Sequence, residues 1–390
     1  MILAVQERAE LPRQRASVLV YRDRLAPLSE AQFLRRQYIG FERLKPVWVG
    51  CRTDKGLSDL GAQPLILGRP GALGSLDRFG FKQFGMLPAQ PDLHELRPSI
   101  VHAQFGRGGA LALPIARALR IPLAVTFHGG DATKDKHYAR NIVPTIFQRR
   151  LAALQREAEL FVCVSQFIGD KLVARGFPAD KIRTIRLGVD IDAAFEGEAP
   201  ADPPYVLFVG RFVEKKGISD LIEAARILAT HGSVIRFVLV GDGPLATRLR
   251  DRARGLDNVA FTGWLSSDEV RRCMRRSMAL CAPSVISQSG DADGLPTVIL
   301  EAMANGIPVI GSLQAGIGEA VEHGTTGLLV PPGSPRDLAD AIRAMFDRPE
   351  VRRTMGAAGR KAAQERFNAT NQSRLLEEAL IEVIQRSAHE

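Results

Sequence analysis

Short apolar runs alternate with longer helical patterns from one end of the chain to the other. The runs are ASVLVY, PVWVG, PLILG, SIVHAQFG, PLAVTFHG, LFVCVS, IRTIRLGV, YVLFVG, IRFVLVG, NVAFTG, MALCAPS, IPVIGS and GLLVPP. Each run is short and rich in β-branched or aliphatic residues, and a helix-length segment separates most runs from the next. The pattern therefore predicts an α/β protein with parallel sheets and crossover helices.

The alternation comes in two copies, and the chain of 390 residues is long enough for two domains. Between the copies lies EGEAPADPP, whose proline, glycine and acidic content predicts a linker over residues 196–204. We therefore predict a first domain over residues 1–195, a second domain over 205–368, and a final helix over 369–390. The position of this helix in the sequence does not reveal which domain it packs on, and a return to the first domain is the option we consider. In such sheets ligands bind at the carboxyl ends of the strands, so the strand ends are the places to search.

The composition is that of a soluble globular protein, with 45% hydrophobic and 24% charged residues. Charges stand near the N-terminus where a signal peptide needs an apolar segment, so we expect no export. No apolar run approaches the roughly 18 residues of a membrane span. The cysteines are scattered without metal-ligand spacing, which suits reduced thiols in a cytoplasmic protein; they are Cys51, Cys163, Cys273 and Cys281.

Positive charge is concentrated in the first half of the chain. Residues 1–190 carry 29 Lys and Arg against 17 Asp and Glu, whereas residues 191–390 carry 23 against 26. Such a basic half can contact nucleic acid, an anionic membrane surface or a phosphorylated substrate, or it can be an ordinary solvated face. Aromatic residues make up only 6% and no nucleic-acid motif is present, so nucleic acid is the least favoured partner.

The stretch FVGRFVEKKG places two cations, Arg211 and Lys216, on a loop between a strand and a helix. Glycines in the loop allow close backbone approach, so the pair suits a diphosphate, although two ordinary surface charges have the same spacing. The later stretch VLVGDG has only part of a dinucleotide fingerprint, and we interpret it as a tight turn.

The stretch GDADGLPTVILEAMANGIPVI predicts a helix from about Thr297 to Ala304, with an anion site at its N-terminus. Glu301 lies about one turn, roughly 6 Å, deeper along that helix, and Asp293 lies on the loop before it. This spacing favours two carboxylates that span a phosphorylated sugar ligand. The pair Asp291 and Asp293 could instead hold a divalent metal, an alternative that the spacing leaves open.

In the first domain, His128 follows a predicted strand and precedes two glycines and Asp131. A histidine at this position can meet a ligand from the opposite wall of a cleft, and a structural histidine fits equally well. Other polar residues follow neighbouring strand ends and are predicted to frame an acceptor site; they are Ser29, Glu30, Gln104 and Asp131.

The stretches VGRFVEKKG, DGLPTVILEAMANGIPVI, GIGEAVEHGTTGLLVPPGSPRDLADAI and TFHGGDA together resemble the retaining, nucleotide-sugar-dependent glycosyltransferases of family 4, which have the GT-B fold. The resemblance covers most of the second domain and residues 100–190. It implies two Rossmann-like domains that face a cleft, the first on the acceptor side and the second binding the nucleotide sugar. It also implies a nucleoside diphosphate sugar as donor, no tightly bound cofactor and no metal. It therefore favours the carboxylate pair over the metal alternative.

The resemblance also implies a role for each matching residue. Arg211 and Lys216 would hold the donor diphosphate, and Glu301 the ribose hydroxyls. His128 and Asp293 would act at the donor sugar and reaction centre. Backbone of the helix entry would contact the sugar and phosphates; these residues are Gly294, Leu295, Pro296 and Thr297.

Some positions depart from the family pattern, including Asp293 in place of the usual glutamate and Gln104 in place of a second histidine. The forms HAQFGRGGA, FHGGDA and DADGLPTV most resemble the branch that assembles bacterial exopolysaccharides and cell-surface glycans. This implies a polyprenyl-linked or other glycan acceptor and a cytoplasmic enzyme in contact with the inner face of the cell membrane. The alternatives are a nucleotide-sugar epimerase of the same fold and a non-catalytic nucleotide-sugar-binding protein.

Overall fold

A computed structural model describes residues 16–25, 27, 30–89, 91–139, 142–191 and 201–389 of the chain. Its first half contains a seven-stranded parallel sheet in the order β5-β3-β1-β6-β7-β8-β9, and a small ribbon of β2 with β4. The strands are β1 (Ala16–Tyr21), β2 (Arg24–Leu25), β3 (Leu44–Gly50), β4 (Arg52–Thr53), β5 (Leu65–Ile66), β6 (Pro98–Gln104), β7 (Leu123–Phe127), β8 (Leu160–Cys163) and β9 (Ile182–Thr184).

Helices connect these strands, as parallel pairing requires. They are α1 (Ala31–Arg36), α2 (Leu57–Leu60), α3 (Gly71–Phe84), α4 (Gly106–Leu119), α5 (Gly130–Thr133), α6 (Ile146–Glu157) and α7 (Gln166–Ala174), with 3-10 turns at Asp135–His137 and Ala179–Lys181. The capping box of Thr145 with Gln148 fixes the start of α6, and the Ser165 side chain caps α7.

The second half contains a six-stranded parallel sheet in the order β12-β11-β10-β13-β14-β15. Its strands are β10 (Tyr205–Val209), β11 (Arg236–Val240), β12 (Val259–Gly263), β13 (Ala279–Ala282), β14 (Val309–Ser312) and β15 (Gly327–Val330). Its helices are α8 (Ile218–Thr230), α9 (Ala246–Arg252), α10 (Ser267–Arg276), α11 (Thr297–Ala304), α12 (Ile317–Ala320), α13 (Pro335–Asp347) and α14 (Pro349–Arg366), with a 3-10 turn at Glu214–Lys216.

The thirteen apolar runs of the sequence are the thirteen strands of the two sheets, which confirms the predicted α/β class. Central strands such as β7 and β13 are buried along their whole length. Helices cover both faces of a parallel sheet, and this explains why the runs are continuously apolar rather than alternating. The predicted helix from Thr297 to Ala304 is α11.

The last helix, α15 (Ala369–Ser387), packs against the first half of the chain. The Glu377 carboxylate accepts hydrogen bonds from the backbone N–H groups of Glu42, Arg43 and Leu44 at 2.7–3.0 Å. Ser373 Oγ accepts from the N–H of Gly40 at 2.9 Å. The last helix, α15, is therefore part of the domain that contains the first sheet.

The predicted linker, residues 196–204, lies largely outside the described residues, and the domain limits at 195, 204 and 368 stay predictions. Within the described part of the chain, no helix combines the length and the apolar character needed to cross a membrane.

Candidate functional site

The two halves of the chain meet where β7 ends in the first sheet and where the loop before α11 leaves the second. A Cβ added to Gly294 would lie 2.3 Å from the carbonyl oxygen of His128, and one added to Gly129 would lie 3.1 Å from Gly294 N. The Ala292 N–H donates to Thr133 Oγ1 at 3.0 Å. The fold thus brings two predicted site residues, His128 and Gly294, into backbone contact.

Beside this contact, lysines and aspartates form a cluster that we call the lysine cluster: Lys134, Lys215, Lys216, Asp291 and Asp293. Lys216 Nζ lies 2.6 Å from Asp293 Oδ2, and Lys215 Nζ lies 3.1 Å from Asp293 Oδ1. Asp291 contacts Lys215 at 3.0 Å and Lys134, from the first half of the chain, at 3.2 Å. Three ammonium groups thus face two carboxylates, and one positive charge is left for an anionic ligand.

Contacts within the lysine cluster shift the pKa values of Asp293 and Lys215. Burial opposes ionisation of Asp293, but Lys216 and Lys215 outweigh it and hold the pKa of this carboxyl below its ordinary value. Burial also disfavours the charged form of Lys215, yet Asp293 and Asp291 raise the pKa of this ammonium. Asp293 and Lys215 are therefore both charged at neutral pH, and the lysine cluster can hold a diphosphate by charge.

The local sequence explains how both lysines reach the aspartates. The 3-10 turn Glu214–Lys216 ends at Gly217, whose φ is +63°. A Cβ on Gly217 would lie 1.7 Å from the carbonyl oxygen of Pro283, so this position requires glycine. The sequence prediction named Lys216 and missed Lys215; the adjacent lysines in EKKG were the available signal.

Arg211, the second predicted diphosphate ligand, is exposed, and it forms no ion pair with any residue that the structure describes. It follows β10 at the same edge of the sheet as the lysine cluster. Its guanidinium is therefore free to bind a ligand, in contrast to Lys216.

The entry of α11 is buried against the first half of the chain. Pro296 caps the helix without a side-chain hydrogen bond, Leu295 packs in the core, and Thr297 is the first helical residue. The first turn therefore retains N–H groups that can face a phosphate.

Glu301 does not lie free in the cleft. Its Oε1 forms a 2.8 Å ion pair with Arg36 Nη1 of α1, and Arg36 Nε also contacts Asp190 Oδ2 at 2.9 Å. Only 12% of the Arg36 side chain is exposed, against 31% for Glu301. The two predicted carboxylates, Asp293 and Glu301, thus have separate cationic partners. Sequence spacing gave no signal for Arg36.

The His128 ring lies in an apolar and aromatic setting. Its centroid is 4.4 Å from that of Phe105, and its Nε2–H donates to Gln104 Oε1 at 2.7 Å. Its Nδ1 is buried and has no hydrogen-bond partner among the described residues. Burial, with smaller contributions from Arg22 and His102, lowers the pKa of His128 to about 3, so the imidazole is neutral at physiological pH.

Gln104 connects His128 to a buried polar network. Its Nε2 donates to Gln37 Oε1 at 2.9 Å and to the Tyr38 hydroxyl at 2.7 Å. That hydroxyl lies 2.8 Å from His102 Nδ1. Because each polar atom of Gln104 already has a partner, its side chain positions His128 rather than offering free hydrogen-bonding groups.

The remaining predicted acceptor-side residues also have internal partners. The Asp131 carboxylate accepts from the backbone N–H groups of Gly106, His128 and Gly129 at 2.8–3.1 Å, and so shapes the loop after β7. Glu30 forms a two-pronged ion pair with Arg22 at 2.7–3.0 Å. Ser29 lies outside the described residues.

The sequence left open the alternative that Asp291 and Asp293 hold a divalent metal ion. In the structure both carboxylates contact lysine ammonium groups. Among the described residues, no group of three or more His, Cys, Asp or Glu side chains is arranged to hold a metal ion.

Two family profiles match the chain. The family described as "Glycosyl transferases group 1" matches residues 190–362, and "Glycosyltransferase Family 4" matches residues 46–193.

Relatives of similar sequence carry related names. The chain is 32% identical over 289 residues to the amylovoran biosynthesis glycosyltransferase AmsK of Erwinia amylovora, a match that covers 71% of this chain and 69% of that protein. It is 33% identical over 255 residues to the putative colanic acid biosynthesis glycosyltransferase WcaL of Escherichia coli K12, covering 64% of this chain and 61% of that protein. The chain thus spans about two thirds of the length of these relatives.

Solved structures share the fold over nearly the whole chain. Anabaena Alr3699/HepE, crystallised with UDP and glucose, has a TM-score of 0.75 at 19% identity and covers 95% of this chain and all of that one. Sucrose-phosphate synthase from Thermosynechococcus elongatus has a TM-score of 0.68 at 19% identity, covering 96% of this chain and 100% of that one. These likenesses confirm the predicted GT-B fold of two Rossmann-like domains. With the family profiles and the AmsK match, they establish that the chain belongs to the family 4 glycosyltransferases.

Proposed function

We propose that the protein transfers a sugar from a nucleoside diphosphate sugar to a hydroxyl group of an acceptor, with retention of anomeric configuration. One observation carries the proposal: the loop after β7, with His128, meets the Gly294 loop beside the lysine cluster. An anionic donor bound there lies between the carboxyl ends of both sheets, where ligands of such folds bind.

The donor diphosphate is assigned to Arg211, Lys216 and the first turn of α11. Lys215 is added to the predicted set because it shares Asp293 with Lys216. The ammonium groups exchange part of their contact with Asp293 for the phosphate oxygens, and so stabilise charge on the departing diphosphate. Because solved proteins of this fold contain UDP, a uridine diphosphate sugar is the first donor to test.

Glu301 is assigned to the ribose hydroxyls. This role requires the carboxylate to exchange its contact with Arg36 for the ligand, so donor binding is coupled to the contact between α1 and α11. Asp293 is assigned to orientation of the donor sugar through the lysines that it contacts.

His128 is assigned to the donor sugar as a neutral hydrogen-bonding group. Its buried Nδ1 has a free lone pair and can accept a hydrogen bond from a sugar hydroxyl. A pKa of about 3 argues against proton donation by the ring at neutral pH. In the transfer, the bond from the sugar C1 to the diphosphate breaks and its electron pair goes to the phosphate oxygen. The acceptor oxygen bonds C1 from the same face, and its proton passes to that phosphate oxygen.

The acceptor is proposed to be a lipid-linked glycan in exopolysaccharide or cell-surface polysaccharide synthesis, since AmsK and WcaL carry names from such pathways. A cytoplasmic location with contact at the inner face of the cell membrane belongs to the same proposal.

Isothermal titration with UDP, GDP and ADP and their sugars, with and without EDTA, tests the donor assignment. We expect Lys216→Met to weaken binding of the preferred nucleotide roughly tenfold or more, because a charge-assisted contact is lost. Arg254→Met, at an exposed position of the same domain, is the matched control and should bind as wild type. Absence of nucleotide binding by the wild type, or an unchanged affinity in Lys216→Met, would contradict the assignment.

Incubation with donor and glycan acceptors, followed by NMR of the product, distinguishes the alternatives. A product with the donor's anomeric configuration supports the proposal. An isomerised sugar formed from donor alone would indicate an epimerase. Binding without turnover on every acceptor would indicate a non-catalytic protein.

A further inference from the structure

The acceptor-side residues that the sequence predicts have little left to offer an acceptor. Glu30 pairs with Arg22, and the side chains of Gln104 and Asp131 have hydrogen-bond partners within the first half of the chain. An acceptor therefore needs other binding groups along the carboxyl ends of the first sheet, where ligands of such folds bind.

One groove at this edge of the first sheet provides such groups. It has a volume of about 500 Å³ and lies between α3 and the carboxyl ends of β3 and β5. The volume is within the range of small-molecule sites, roughly 300–1,000 Å³. We call it the β3 groove, and its lining residues are Cys51, Arg52, Thr53, Ile66, Arg78 and Lys82. None of them belongs to the lysine cluster, so the β3 groove is separate from the donor site.

The lining of the β3 groove includes three cations and no carboxylate. Lys82 Nζ contacts Asp23 Oδ1 at 2.6 Å, so its charge is balanced. Arg78 donates a hydrogen bond to Ser75 Oγ at 3.2 Å. Neither Arg78 nor Arg52 forms an ion pair with a carboxylate in the part of the chain that the structure describes. The β3 groove thus contains two guanidinium groups whose charge is not balanced locally.

Other carboxylates close to the β3 groove have cationic partners of their own. Asp77 pairs with Arg69 at 2.8 Å, and Asp54 pairs with Arg24. Guanidinium groups bind carboxylate and phosphate oxygens through parallel hydrogen bonds, because the planar fork of donors matches two acceptor oxygens. The β3 groove is therefore suited to an anionic group from a ligand.

The helical periodicity of α3 explains why two of these cations line the groove. Arg78 and Lys82 are four residues apart, which places them on the same side of the helix. At about 100° per residue, this side adjoins the buried positions Gly74 and Phe81. The two cations therefore face the strand ends and not the outer surface of α3.

The β3 groove and His128 lie on the same edge of the first sheet. In the sheet order, β3 is three strands from β7, and at about 4.8 Å per strand the separation is about 14 Å. Contacts span this distance. Lys82 of the groove contacts Asp23, which follows β1. The neighbouring Arg22 guanidinium lies 4.0 Å from the centroid of the Phe105 ring, and that ring is 4.4 Å from the His128 ring.

We propose that the β3 groove binds an anionic group of the acceptor glycan, a carboxylate or a phosphate, through Arg52 and Arg78. A span of about 14 Å is longer than one hexose, so the anionic group lies on a different sugar from the hydroxyl that accepts the transferred residue. The proposal rests on the proposed function and deepens it, because it names an acidic glycan as the class of acceptor.

Binding of small sugars in the presence of saturating UDP tests the β3 groove, because UDP fills the donor site and keeps other anions out of it. The probes are methyl glucuronide, methyl glucoside 6-phosphate and neutral methyl glucoside, with dissociation constants measured by saturation-transfer NMR. Wild type should bind at least one anionic probe fivefold or more tighter than the neutral probe. Arg52→Gln with Arg78→Gln should abolish this preference, since the charge-assisted contacts are lost.

A matched control removes two positive charges from the opposite edge of the same sheet. Arg43 and Lys45 are exposed at the amino end of β3, whereas Arg52 lies beyond its carboxyl end. Arg43→Gln with Lys45→Gln should keep the wild-type preference for the anionic probe. An equal loss of preference in both double variants would show only general attraction by positive charge, and would overturn the proposal.

Two further results would overturn the proposal: equal binding of all three probes by wild type, or an unchanged preference in the variant that lacks Arg52 and Arg78. Tighter binding of the glucuronide would identify the ligand group as a carboxylate, and tighter binding of the 6-phosphate would identify it as a phosphate; either supports the proposal. UDP titration of the same preparations separates this test from that of the proposed function. Normal UDP binding without an anion preference rejects the β3 groove alone, whereas absence of UDP binding by wild type rejects the donor assignment and the groove proposal with it.

Discussion

Arg36 Nη1 lies 2.8 Å from Glu301 Oε1. An arginine of the first domain thus forms an ion pair with the carboxylate that we assign to the donor ribose. The two residues are 265 positions apart in the sequence. The ion pair joins α1 to α11 across the cleft, and any ligand of Glu301 must compete with it.

Arg36→Gln should therefore tighten donor binding. Removal of a partly exposed ion pair of about 1 kcal/mol corresponds to roughly a fivefold lower dissociation constant, measured by isothermal titration. Arg35→Gln, an exposed arginine on the same helix, is the control and should leave the constant unchanged. Weaker donor binding in Arg36→Gln would mean that Arg36 itself contacts the donor.

The pKa of Asp293 predicts how its contribution to stability depends on pH. The folded pKa lies below the ordinary 3.8, so the stabilisation from ionised Asp293 is present above that value and is lost as the pH falls through the lower, folded pKa. Urea unfolding should give a difference in unfolding free energy between wild type and Asp293→Asn that is constant from pH 7 to 5 and shrinks below pH 4. The same comparison with exposed Asp251→Asn is the control. A difference that disappears by pH 5 would contradict the prediction.

The two buried histidines predict a different pH dependence. Burial lowers the pKa of His102 and of His128 to about 3, so the unfolded chain binds these protons near pH 6.5 and the folded chain does not. Their contribution to stability is complete above pH 6.5 and is lost toward pH 3, by up to about 1.4 kcal/mol per pH unit for each histidine. Unfolding free energy should fall less between pH 6.5 and 4.5 in His128→Gln than in wild type. Equal slopes would show that the His128 ring has the same pKa in the folded and unfolded states, and would contradict the prediction.

The sequence sufficed for much of the fold because strand patterning is local. Each apolar run became a strand, and the proline and glycine around residues 297–304 bounded α11. The glycine at 294 and the histidine at 128 also identified both sides of the cleft contact.

The contacts that each side chain makes could not be predicted from the sequence, because they depend on how distant segments pack. Asp131 was expected at an acceptor, yet its carboxylate has three backbone N–H partners in its own loop and at the start of α4. Lys215 joins Lys216 only because the 3-10 turn directs both lysines toward Asp293. The pairing of Arg36 with Glu301 requires the docked domains, and no local pattern encodes it.

Gly294→Ala should open the contact between the loops. Its Cβ would lie 2.3 Å from the carbonyl oxygen of His128 and 2.9 Å from Val164 Cγ2, so the loops must separate. We expect at least a hundredfold loss of transfer rate and a larger radius of gyration by small-angle X-ray scattering. Gly108→Ala, a helical position with its nearest contact at 3.9 Å, is the control. A wild-type rate in Gly294→Ala would show that transfer does not need this contact.

Glu377→Gln should destabilise the protein by about 1–3 kcal/mol. The buried carboxylate accepts from three backbone N–H groups of residues 42–44, and a neutral amide cannot accept all of them equally. Urea denaturation measures the change, with exposed Glu378→Gln as the control. Equal stability of the two variants would show that α15 does not anchor this segment.

The chain passes from the first sheet to the second and then returns to the first through α15. The second sheet and its helices are therefore one continuous segment inserted into the domain that contains the first sheet. We therefore expect residues 205–366 to be exchangeable as a cassette between relatives, while the flanking segments retain both the first sheet and its closing helix. A chimera joined there keeps Glu377 with its partners, whereas a simple fusion of an N-terminal half to a foreign C-terminal half separates them.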